Sequence, residues 1–260
     1  QISIRGGSGW NAMAGSRVLI LIDDIPLLSG DMGQIPWDLI PIENIDQIEV
    51  TKGAASAIYG SSAMNGVINV KTKTANQMLI SQHPFIGHTK IISEYGVYDN
   101  PKNINLKWWD GIRSFYSTDI LHSNIIRNTS LTLGLNHFKD YGYRYLEENK
   151  RNQLSLNLLH NSKKIENFLY GISGTFMKQN VGNFLLWESY NNAYIPIDSN
   201  LYQTNSTLFH IDPYLNFTTQ NGKHSVKNRY MRIGLDNSTN KEDTGKDLFS
   251  ETYYFDYKLV

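Results

Sequence analysis

The run Gly6-Gly7-Ser8-Gly9 has the glycine density of a phosphate cradle, in which bare backbone N–H groups close on an anion. It lacks the lysine and the Ser/Thr that a P-loop places next, and its spacing is not that of a dinucleotide fingerprint. The histidines His83, His88, His122, His137, His160, His210 and His224 form no close His-x-x-x-His pair, and the chain has no cysteine. A protein-held metal centre is therefore not expected. No Ser, Thr or Asp falls into a nucleophile–base–orienter set. These residue types point away from an enzyme, and no cofactor is expected.

The chemistry that remains is recognition. Phe184, Trp187, Tyr190, Tyr194 and Tyr202 crowd aromatic rings into the segment Gln179 to Thr204. Rings at that density on an exposed loop suit sugars, planar ligands or a protein partner, and they suit mutual packing of the loop equally well. Charge is balanced at 24 basic and 24 acidic residues, so no global field argues for nucleic acid.

Two textures of element must position these groups. Up to about residue 74, short apolar strands alternate with glycine- and proline-marked loops, which predicts a small α+β unit. Val18 to Ile22 is a continuous apolar run suited to a strand buried on both faces. Ile45 to Val50 alternates, and Val67 to Thr72 follows as a last strand. Ala54 to Tyr59 is expected to form a short helical segment closed by Gly60. Residues 75–88 read as a linker. Residues 89–260 are expected to be all strand, with about eight segments near 89–98, 113–122, 128–138, 151–160, 167–178, 205–218, 225–236 and 248–259.

In most of these segments apolar and polar residues alternate: Leu131, Leu133 and Leu135 against Thr132, Gly134 and Asn136, or Phe209, Ile211, Pro213, Leu215 and Phe217 against His210, Asp212 and Asn216. Short connections (Asn161 to Glu166, and Thr219 to His224 with its Asn221-Gly222) alternate with long ones. Strands of nine to eleven residues, apolar outward and polar inward, with tight turns on one side and long loops on the other, form the pattern of a transmembrane β-barrel. A soluble sandwich also alternates, but it uses shorter strands and packs its apolar face inward. No apolar run approaches the ~18 residues of a membrane-crossing helix.

The first unit then gains a specific meaning. Ile4-Arg5-Gly6, Val18 to Asp23, Ile42-Glu43-Asn44-Ile45 through Glu49-Val50, Lys52-Gly53, Ser56-Ala57-Ile58-Tyr59-Gly60 and Asn65-Gly66-Val67-Ile68-Asn69-Val70 closely resemble the plug domain of TonB-dependent outer-membrane receptors. Asp24 departs from the pattern, standing where that family usually has glycine. The resemblance implies a mainly β fold: the C-terminal half of a plug at 1–74, a linker at 75–88, and at 89–260 the first strands of a plugged barrel of about 22 strands. The family's TonB-contacting segment would lie before Gln1.

The resemblance further implies a Gram-negative outer-membrane location, contact with outer-membrane lipid and coupling to the TonB energy-transducing complex. It implies uptake of a small-molecule or metal-chelate ligand of siderophore, haem or cobalamin type. A glycan importer on the same plan, or a non-transporting sensor or adhesin, are the alternatives. Ser8, Gly9, Trp10, Asn11 and Met13 in one apical plug loop, and Ser29, Asp31 and Met32 in its neighbour, would face the ligand. Trp187, Tyr190 and Tyr194 would meet it from an extracellular loop. Arg5 and Arg17, with Glu43 and Glu49, are candidate charges that seat the plug.

Overall fold

The computed structural model describes residues 4, 18–30, 33–53, 59–75, 87–197, 201–238 and 247–260, arranged as two sheets. The smaller holds β1 (Val18–Ile22), β2 (Ile25–Pro26), β3 (Ile45–Lys52) and β4 (Gly66–Thr72) in the order β2-β1-β4-β3. β1 lies parallel to β4, and β3 antiparallel to it. All five residues of β1 are buried, as the uninterrupted apolar run requires. β4, between β1 and β3, is buried or half-buried along its whole length. β3 is the outer strand, and its apolar Ile48 and Val50 remain 54% and 50% exposed. Two 3-10 turns, Trp37–Leu39 and Ile42–Asn44, each follow a proline. The expected helical segment falls largely on residues 54–58, outside the described residues, as do residues 76–86 of the expected linker. Gly60 has the positive φ of 81° that glycine adopts without strain.

The larger sheet is a sequential antiparallel meander of β5 (His88–Tyr98), β6 (Arg113–Ile126), β7 (Thr129–Asp140), β8 (Asn149–Asn161), β9 (Phe168–Phe184), β10 (Leu201–Thr219), β11 (Gly222–Ser238) and β12 (Leu248–Leu259). Its polarity is inverted relative to a soluble sheet. On the face turned to the small sheet, polar residues are buried: Thr132 at 0% exposure, Ser155 at 2%, Asn157 at 6%, Asp212 at 1%. On the opposite face large apolar residues are exposed, among them Leu154, Phe176, Ile211 and Phe255. A sandwich would bury the second set, so the sandwich alternative fails.

The exposed face is also banded. Phe209 packs edge-on to Tyr230, which stacks on Tyr253. Nearer the short turns, Phe168, Tyr170, Phe217, His224 and Tyr257 form a second group of rings. Between Phe209 and Phe217 only Ile211, Pro213 and Leu215 of β10 face outward. At ~3.3 Å per residue and a tilt of ~40° that stretch is about 20 Å tall, close to the apolar band between the aromatic girdles of a membrane barrel.

The connections alternate as expected. Residues 127–128, 162–167 and 220–221 are short turns at one end of the sheet, while 99–112, 141–148, 185–200 and 239–247 are long connections at the other. Several strands run past their expected limits. β9, β10 and β11 reach 17, 19 and 17 residues, and β6 continues to Ile126. Alternation marks only the stretch that crosses an apolar layer. Beyond that layer the ladder continues on backbone hydrogen bonds, with side chains that carry no period-2 signal.

Candidate functional site

The small sheet sits on the polar face of the large one, and the contact between them is the best-built polar site among the described residues. It begins at the turn joining β1 to β2, where Asp23 and Asp24 both have positive φ, 52° and 71°. A two-residue hairpin turn of this hand favours glycine, and aspartate is among the few other residues that tolerate it. Asp24 is held there by what it touches. Its backbone N–H donates to Asn69 Oδ1 at 3.1 Å, and Asn69 Nδ2 donates back to Asp24 Oδ1 at 2.7 Å. Lys71 of β4 pairs with the same carboxylate. From the large sheet, Lys227 Nζ reaches Asp24 Oδ2 at 2.6 Å and the Asp23 carbonyl at 2.8 Å. Asp23 faces the other way and accepts from Thr72 N at 2.9 Å and Thr72 Oγ1 at 2.7 Å. Burial works to raise the Asp24 pKa, but the hydrogen bonds from Lys227 and Lys71 outweigh it and hold the carboxyl below the ordinary carboxylate range.

Two residues along β11 on the same face, Arg229 is completely buried. It donates through Nη1 to the carbonyls of Pro26 at 2.8 Å and Ile25 at 3.2 Å. β2 is the outer strand of the small sheet, and this guanidinium reaches the Pro26 carbonyl, which alternation turns away from β1. The rest of the fork pairs with Asp212, with Nε to Oδ1 at 2.7 Å, and His210 Nδ1 lies 3.0 Å from Asp212 Oδ2. The β10–β11 register runs to Ile211↔Tyr230 and resumes at Tyr214↔Lys227. Pro213 has no N–H to give in that gap, and the Asp212–Arg229 pair bridges the two strands there.

A second group of contacts lies nearer the long connections. Arg151 Nη1 meets Asp38 Oδ1 at 3.0 Å, and Gln153 Nε2 donates to the carbonyls of Asp38 and Leu39 at 3.1 and 3.0 Å. Gly30 N donates to Ser250 Oγ at 3.0 Å. Between the two groups Ile20, Ile22, Leu27 and Leu39 pack with Met177, Leu208, Met231 and Ile233 in one apolar cluster. A cavity of about 270 Å³ opens between Ser29, Gln34–Asp38 and the wall residues Met177, Gln179, Ser206 and Leu235.

The long connections fold on one another. Trp108 packs edge-on to Tyr145 at 4.8 Å, its indole N–H donates to the Tyr143 carbonyl, and Arg113 lies over its ring at 4.3 Å. Tyr143 meets Tyr194 at 5.3 Å, and Tyr145 N donates to the Tyr194 carbonyl at 2.8 Å. Residues 185–197 form a small hairpin of their own, closed by the Trp187↔Pro196 bridge.

Residues 1–67 match the family model described as the TonB-dependent Receptor Plug Domain. The matched stretch is a plug domain of the TonB-dependent receptor type. It is 36% identical over 83 residues to the vitamin B12 transporter BtuB of Vibrio cholerae, an overlap covering 30% of this chain and 14% of that protein. It is 35% identical over 89 residues to the ferric enterobactin receptor PirA of Pseudomonas aeruginosa, covering 30% and 11%. The solved siderophore receptor PirA of Acinetobacter baumannii superposes with a TM-score of 0.57 at 18% identity, over 93% of this chain and 37% of that receptor, and this likeness shows the fold. The chain thus spans well under half the length of the receptors it matches. The small sheet is the plug, and the meander is a partial, unclosed barrel wall.

Of the residues singled out in the sequence, Arg5, Ser8, Gly9, Trp10, Asn11, Met13, Arg17, Asp31 and Met32 lie outside the described residues. Ser29 closes its own plug loop: its N–H donates to the Gln34 carbonyl at 2.8 Å, and its Oγ accepts from Gln34 N at 3.0 Å. It also lines the 270 Å³ cavity. Tyr194 is half-buried among the loop rings, whereas Trp187 and Tyr190 stand 52% and 87% exposed.

Glu49 accepts from Asn69 Nδ2 at 3.0 Å inside the plug and reaches no barrel residue among the described contacts. Glu43 does face the wall, in a cavity of about 340 Å³ shared with Lys73, Lys90, Asp119 and Arg151, and its Oε1 is buried without a hydrogen-bond partner. Burial raises the Glu43 pKa above its ordinary value and lowers that of Lys73. Sequence reasoning missed Lys227, Arg229, Asp212 and Arg151. The one available signal was the unexpected Asp24.

Proposed function

We propose that the chain supplies the plug and the first barrel strands of a Gram-negative outer-membrane receptor that takes up a scarce solute of siderophore, haem or cobalamin type, driven through the TonB complex. The observation that carries this reading is the seat of the plug: a small sheet fixed by side-chain ion pairs to the polar face of a wall whose other face is apolar and banded by aromatic rings. A lid that must be moved by force suits a contact of many polar bonds, each of which can exchange for water. Residues 1–74 act as plug, 75–88 as linker and 89–260 as barrel. Ligand enters from the long-loop side, past Trp187 and Tyr190. It then meets the plug apex at Ser8, Gly9, Trp10, Asn11, Met13, Ser29, Asp31 and Met32, with Tyr194 shaping the loop cluster. Arg5 and Arg17 serve with the Asp24 and Asp38 contacts to seat the plug, while Glu43 faces the wall and Glu49 braces Asn69 within the plug.

The intact receptor, purified in detergent, is titrated with ferric siderophores, haem and cyanocobalamin. One class is expected to bind, and Trp187→Ala with Tyr190→Ala to weaken it about tenfold, as loss of exposed aromatic contacts would. In cells, uptake of that ligand is expected to stop when the proton gradient is collapsed. Uptake indifferent to the gradient, or a receptor that fails to fractionate with outer membranes, would defeat the reading; binding with no uptake would favour a sensor.

A further inference from the structure

The outward face of the wall carries a charge pattern that neither ligand capture nor plug seating uses. Neighbours along each strand decide which way a side chain turns. Arg151 meets Asp38, Met177 and Gln179 line the plug cavity, and Met231 and Ile233 are buried against the plug. Lys150, Lys178 and Arg232 alternate with these residues, so they turn outward, and all three are exposed. Lys139 follows Phe138, which lines the Glu43 cavity, and turns outward for the same reason. Every other Lys or Arg on β5 to β12 falls on the inner set by this alternation.

The four outward cations form one row. Lys139 stands directly opposite Lys150, and Lys178, paired with Asn152, is the diagonal neighbour of Lys150. Like charges placed so closely across a ladder are destabilising unless something neutralises them. Lys139 has Glu148, and Arg232 lies over the Phe249 ring at 4.5 Å and opposite Glu251. Lys150 and Lys178 make no ion pair among the described residues, and His137, Asn152 and Asn180 around them are neutral or weakly basic.

The row follows the upper edge of the apolar band. Phe176 pairs with Phe209 at that edge, and Lys178 stands two residues beyond Phe176. Arg232 stands two residues beyond Tyr230. Two residues of tilted strand raise a side chain by about 5 Å. Beneath Lys139 and Lys150 on their own strands come Leu135 and Leu154, which pair with each other and are exposed. No Lys or Arg of these strands faces outward at the other edge of the band. Cations one step beyond the rings, with apolar side chains directly below, match a lipid whose phosphate lies at the lysines and whose acyl chains lie along Leu135, Leu154 and Phe176. A soluble acidic partner would use the cations and leave that continuity unused.

We propose that Lys150 and Lys178, flanked by Lys139 and Arg232, bind the phosphate of an anionic lipid in the leaflet on the side of the long connections. The proposal rests on the membrane reading above.

The test uses the full-length receptor, reconstituted in nanodiscs of phosphatidylglycerol and phosphatidylcholine and then released for native mass spectrometry. Phosphatidylglycerol is expected to be retained in preference to phosphatidylcholine. That preference should fall about fivefold in Lys178→Gln and about twenty-five-fold in Lys150→Gln/Lys178→Gln, as surface cations facing anionic lipid contribute. Lys163→Gln/Lys164→Gln, in the β8–β9 turn at the other end of the wall, removes the same charge and should leave the preference unchanged. Equal retention of the two lipids by the wild type, as an acidic protein occupant would give, would overturn the proposal while leaving the membrane reading intact. So would an equal loss in the Lys163→Gln/Lys164→Gln protein. A receptor that does not enter the nanodiscs at all would remove both.

Discussion

Replacing Lys227 by methionine keeps the length of the side chain and removes the cation that ties the plug hairpin to the wall. Lys227 Nζ makes two bonds across the interface, to Asp24 Oδ2 at 2.6 Å and to the Asp23 carbonyl at 2.8 Å. Charge-assisted bonds contribute about 1.5–3 kcal/mol each. The two share one ammonium and count as a single charge-assisted contact toward the lower end of that range, because the Asp24 side chain is 32% exposed and keeps Lys71 and Asn69 when Lys227 is lost. The net cost is then about 2 kcal/mol, which corresponds to a roughly thirtyfold rise in local opening. Hydrogen exchange read by mass spectrometry on the full-length receptor should show the amides of Asp23 to Leu27 exchanging about thirtyfold faster, with β4 amides little changed.

Acidity supplies a second arm. The Asp24 carboxyl is held below its ordinary value, facing Asp23, Lys71 and Lys227. Its contribution is complete above about pH 4 and is lost as pH falls from there through the depressed value. Opening of the hairpin should therefore be flat from pH 7 to about 5 and accelerate below about 4. The Lys227→Met protein, whose Asp24 is less depressed, should lose less on acidification. Exchange at Asp23 to Leu27 that is the same in both proteins would refute the claim that this pair holds the hairpin.

Arg229→Met is expected to destabilise the barrel by about 3–5 kcal/mol, because Asp212 would be left charged and buried; Arg229→Met/Asp212→Leu should recover much of that in urea unfolding of the reconstituted receptor. Ile172→Arg, opposite Pro213 at mid-height of the apolar band, should cost about 2–4 kcal/mol in the same assay, while Thr175→Arg on the inner face should disturb plug seating instead. Glu43→Gln should stabilise the plug at pH 8. The carboxyl's pKa is raised by burial, so the wild type gains stability as pH falls through that raised value toward the ordinary one, and the variant should show no such gain in thermal melts at pH 5 and pH 8.

The meander was legible because one alternation, apolar out and polar in, repeats in most of its strands. Its strand ends were not, since β9 to β11 run beyond the layer that imposes the alternation. β1 was legible as a buried strand from five apolar residues in a row. The outer position of β3 was not, because Ile48 and Val50 alternate as though one face were covered. The seat of the plug was the least legible part. Asp24 and Lys227 lie 203 residues apart, and each has a bland local meaning, a turn aspartate and a lumen-facing lysine. The departure from glycine at Asp24 was visible in the sequence, but its cause lies on another strand. The aromatic loop divided: Tyr194 went to packing and Tyr190 to solvent, a distinction that depends on Tyr143 in a different loop.

The inverted polarity of the wall also bears on how such a chain can be made. Its outward-facing apolar residues are spaced one apart from polar ones, its mean hydropathy is −0.38, and no helix among the described residues is long and apolar enough to cross a membrane. A continuous greasy run is not what these strands present to whatever handles them. The greasy surface comes into being only when neighbouring strands pair and every second side chain lines up on one side. The apolar face is thus a property of the assembled ladder. A strand-pairing fault would expose that surface in water, which makes register, more than composition, the quantity that has to be guarded in transit.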